Sequence, residues 1–83
     1  MKRVDGRLLN ESAALELLER SISYDHPDLA VIRLSIAVDV GARVPDSAWK
    51  YCREAAQTSA DPALRRLFEA ASQRHAHRHG GPP

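Results

Sequence analysis

The chain of 83 residues has a single cysteine, Cys52, so no disulfide can form within it. Aromatic side chains are almost as scarce, with one Trp, one Phe and two Tyr. Any core must therefore be mostly aliphatic. The four glycines, Gly6, Gly41, Gly80 and Gly81, form no phosphate-cradling loop, which argues against a nucleotide site. Long apolar runs are missing too: the longest, Leu29 to Val40, is too short for a bilayer and contains Arg33 and Asp39. Met1-Lys2-Arg3 is basic but leads into Val4-Asp5-Gly6-Arg7, so no secretory signal is expected and the chain reads as cytoplasmic. A formal net charge of +1 supplies no overall drive toward nucleic acid or membrane.

What remains describes one small domain. Hydrophobic residues make up 43% and charged residues 28%, which is too apolar for a disordered chain, and the length leaves no room for two cores. A domain of this size buries a modest share of its surface and, without a staple, often completes its core against another chain. A homodimer or another protein partner is the expectation. The charges are also sorted along the sequence. From Asn10 to Ala30, Glu11, Glu16, Glu19, Asp25 and Asp28 face one base, Arg20, whereas from Asp61 onward Arg65, Arg66, Arg74 and Arg78 outnumber Asp61 and Glu69. Such segments suit helix faces that complement each other within the fold. Ten of the twelve basic residues are Arg and alanine is abundant, a pattern associated with GC-rich bacterial genes.

Three prolines punctuate the chain, Pro27, Pro45 and Pro62, each with an aspartate beside it: Asp28, Asp46 and Asp61. Proline suits the first helical position, where its missing N–H would have no partner, and a carboxylate there meets free N–H groups and the positive helix end. Each site reads as a helix start. Asn10 is a candidate cap for an earlier helix, Glu11 to about Ser23, with Leu15, Leu18 and Ile22 as its apolar stripe. Val4 to Leu9 either extend that helix or lie across the core. The third helix, from Pro45, gathers Ala48, Tyr51, Cys52 and Ala55, and the fourth, from Pro62, gathers Leu64, Leu67, Phe68 and Ala71. His75 to Pro83 lack an apolar period and are expected to form a flexible tail.

The ambiguous stretch is Val31 to Val40. Read by twos, its apolar residues share one face of a strand; read as a helix, it is apolar nearly all round. Pro27 opens it and Gly41 closes it where a left-handed cap is wanted, and the chain holds no second convincing strand to pair with it. It is read as a helix whose polar stripe is Asp28, Ser35 and Asp39, with the stem of Arg33 crossing apolar ground to reach water. The fold class expected is all-α: a compact four-helix domain of short helices, residues 1–74, around this central apolar helix, with residues 75–83 as tail.

Candidate chemistry is thin. Tyr24-Asp25-His26-Pro27-Asp28 concentrates ionisable groups between two helices, where Asp25 or His26 is better explained as a cap and Asp28 as a partner of the helix dipole. Cys52 lies on an apolar face with no base nearby in sequence and reads as a buried thiol. His75 and His79 would stand one helical turn apart if the last helix continued, the best metal lead; with no carboxylate or thiol close by, neither a metal site nor a cofactor is assigned. No catalytic constellation is present, and a non-enzymatic role is expected.

Ala37-Val38-Asp39-Val40-Gly41, followed by a new helix at Pro45, resembles the core of a helix-turn-helix, in which an alanine precedes the turn glycine by four. The resemblance covers about twenty residues and implies that Ser47, Lys50 and Arg53 face DNA phosphates or base edges. The turn here is longer than the family's, and Trp49 stands where a small or aliphatic residue normally packs. The leading expectation is therefore a protein-binding module (an adaptor, regulator or inhibitor) with Trp49, Lys50, Tyr51 and Arg53 as partner-binding residues, and a DNA-binding regulator is the alternative. Aromatic and arginine side chains are the usual anchors of such contacts.

Overall fold

The computed structural model describes residues 10–79. Four helices follow one another, α1 (Glu11–Ser23), α2 (Pro27–Asp39), α3 (Asp46–Thr58) and α4 (Pro62–His79), with no strand among the described residues. The expectation for Val4 to Leu9 lies outside those residues.

Local chemistry accounts for the helix ends. The Asn10 side chain accepts from the Ala13 N–H at 2.9 Å and caps α1, a contact of the kind worth about 1 kcal/mol. Pro27 and Pro62 each open a helix, and Asp61 caps α4 by accepting from the Ala63 N–H at 2.9 Å. Pro45 falls one position earlier than expected: it is the residue before α3, extended at ψ 155°, and its carbonyl accepts from Ala48 and Trp49. α1 and α2 both end in the same backbone motif. After α1, the His26 N–H returns to the Ser21 carbonyl and the Asp25 N–H to Ile22, with Asp25 left-handed at φ 57°. After α2, Ala42 returns to Ala37 and Gly41 to Val38, with Gly41 at φ 80°. Both are Schellman ends, and the left-handed Gly41 falls where the sequence placed it.

The helix expectation for Val31 to Val40 holds, and α2 is the centre of the domain. It packs against α1, α3 and α4, whereas α1 and α4 make no contact with each other among the described residues. Ala30, Val31, Leu34 and Ala37 are fully buried, and Leu18 of α1 and Cys52 of α3 close on them. The core is fine-grained: among the described residues, eight of the fifteen buried apolar ones are alanine.

Two details of α2 differ from expectation. Ser35 is buried, and the exposed stripe is Asp28, Ile32, Ile36 and Asp39. The rotation follows from α4: Arg74 donates to the Ser35 hydroxyl at 3.0 Å, and its Nε lies 2.9 Å from an Asp39 carboxylate oxygen. That second contact is an ion pair whose direction does not suit a hydrogen bond. α4 is thus drawn onto the polar edge of α2, and the two isoleucines turn outward. Arg33, in turn, does not run to water. Its guanidinium reaches back to α1, donating to the Leu17 carbonyl at 3.3 Å and the Ser21 hydroxyl at 3.2 Å.

The expected boundary at residue 74 also moves. α4 continues through His79, five residues into the proposed tail. His75 lies against Trp49 with ring centroids 4.9 Å apart, a tertiary contact that a free tail would lack. The remaining tail, residues 80–83, is outside the described residues.

Candidate functional site

α3 carries the four residues expected to bind a partner, and its helical turn divides them. Trp49 is half-buried: its ring meets Phe68 edge-on at 5.8 Å and His75 at 4.9 Å, so most of the indole joins α3 to α4. Its outer edge shares an open depression with Asp46, Lys50, Arg53, Glu54 and Gln57. Lys50 and Arg53 are exposed there, as is Ser47 on the preceding turn. Two carboxylates on the same surface, Asp46 and Glu54, offset their charge. The surface is mixed rather than basic.

Tyr51 points the other way. Its hydroxyl donates to an Asp25 carboxylate oxygen at 2.6 Å, tying α3 to the α1–α2 turn. Desolvation of the ring, followed by the bond to Asp25 and that group's negative charge, pushes the Tyr51 phenol up to about 12. Asp25 is therefore engaged with Tyr51 as well as ending α1. His26, the residue before α2, makes no side-chain cap, so the capping expected of this pair is not what their side chains do. Trp49, Lys50 and Arg53 are brought together; Tyr51 is not.

Cys52 is fully buried and its sulfur lies 3.6 Å from the Ala30 carbonyl. Loss of solvent pushes its thiol up to about 12, so the nucleophilic thiolate is suppressed at neutral pH. Among the described residues, no three His, Cys, Asp or Glu side chains gather as metal ligands, and the pairing of His75 with His79 lies outside the described side chains. No described helix is long and apolar enough to cross a membrane.

An apolar surface feature lies elsewhere, between α2 and α4. An open groove of about 530 Å³ is lined by Ile32, Ala63, Leu64, Leu67 and Ala70 together with the charged Asp61 and Arg66. At Ala70 it meets a second depression lined by Gln73, Arg74 and His77. Ile32 is 41% exposed and Ile36, one turn further along the same face of α2, is 37% exposed. Among the described residues, α1 and α4 both pack on α2 without contacting each other, which leaves this face of the central helix open between them. Sequence reasoning missed it because the polar wedge of α2 was centred on Ser35. The one available signal was the pair of isoleucines at i and i+4 adjoining that wedge.

No family model matches this chain, and neither a curated protein nor a solved structure is found to be similar to it.

Proposed function

We propose that this chain is a protein-binding module, an adaptor, regulator or inhibitor rather than an enzyme, that docks a partner along the groove between α2 and α4. The observation that carries the reading is the outward face of the most apolar helix, where Ile32 lines a groove walled by Leu67, Ala63 and Ala70 and Ile36 is exposed one turn further along. Apolar anchors inside a polar rim are the usual arrangement of a helix-in-groove contact. The α3 surface of Trp49, Lys50 and Arg53 is a secondary contact region, and Tyr51 acts indirectly by holding the α1–α2 turn against α3.

A photo-crosslinking residue at Ile36, introduced in cells that make the protein, tests the reading. A discrete protein adduct is expected at Ile36 and none at Glu11 on α1. Adducts at Lys50 and none at Ile36 would overturn the groove in favour of α3.

One observation favours a second reading, a DNA-binding regulator: Ser47, Lys50 and Arg53 are all exposed on the helix after the Gly41 turn. Against it, Asp46 and Glu54 share that surface, and phosphate contacts supply most of the affinity in such complexes. Retention on duplex DNA that collapses as salt rises and is lost in Lys50→Ala/Arg53→Ala would establish the DNA reading.

A further inference from the structure

We draw no further inference here: the strongest candidate, the apolar face of α2 that Ile32 and Ile36 leave exposed beside α4, carries none because nothing in the structure shows what covers it.

Discussion

Asp25 holds two positions at once. Its backbone is left-handed at φ 57°, which costs a residue with a Cβ about 1 kcal/mol, and its carboxylate receives the Tyr51 hydroxyl. Asparagine tolerates that backbone and offers an acceptor; alanine does neither. Asp25→Asn is therefore expected to stay within about 0.5 kcal/mol of the parent, and Asp25→Ala to lose about 1–2 kcal/mol, measured by urea unfolding. Equal effects of the two would remove the significance of the turn. The alkaline limb of stability follows from the same contact. The Tyr51 phenol ionises near 10 when unfolded and near 12 when folded. Its contribution is whole below pH 10 and is lost as pH rises from about 10 to 12, because only the unfolded chain gives up the proton in that window. Cys52 adds a loss of the same sign, from about 9 to 12. In a Tyr24→Phe background, phenolate absorbance is expected to develop only toward pH 12 and to move down when Asp25 becomes alanine.

At the scale of the helix, α2 has two kinds of apolar residue with opposite expectations. Leu34 is fully buried, so Leu34→Ala should cost about 3 kcal/mol. Ile36→Ala should cost less, about 1 kcal/mol, since that residue is already 37% exposed. Unfolding free energies that fail to separate the pair would mean that the face of α2 is wrongly assigned. Existence and order of the helices were readable from single residues: Asn10, Pro27, Gly41 and Pro62 act on their immediate neighbours, so sequence carries their effect directly. The rotation of α2 was not readable, because it depends on Arg74, 39 residues from Ser35. The continuation of α4 past residue 74 was hidden for the same reason, since the His75–Trp49 contact joins residues far apart in sequence. His75→Ala is expected to expose the indole and shift Trp49 emission to longer wavelength. Unchanged emission would show that this ring contact does not persist in solution.

Across the whole molecule, the sorting of acids and bases along the chain is used where Arg74 of the last helix meets Asp39 of the second. The α3 surface has no excess of one sign, since Lys50 and Arg53 share it with Asp46 and Glu54. Duplex DNA is accordingly expected to retain the protein weakly, with a shallow salt slope between about 50 and 200 mM, unlike proteins that neutralise many phosphates. A steep slope that flattens in Lys50→Ala/Arg53→Ala would reverse the ranking of the two functional readings.

The alanine-rich interior decides how this protein can be dissected. At eight core positions there is no side chain left to truncate, so scanning by alanine passes silently over half of the interior. The informative direction is enlargement: Ala37→Leu or Ala56→Leu would wedge adjacent helices apart. Diversity among natural versions of this chain should be narrowest at those positions, where a single added methylene meets backbone instead of empty space.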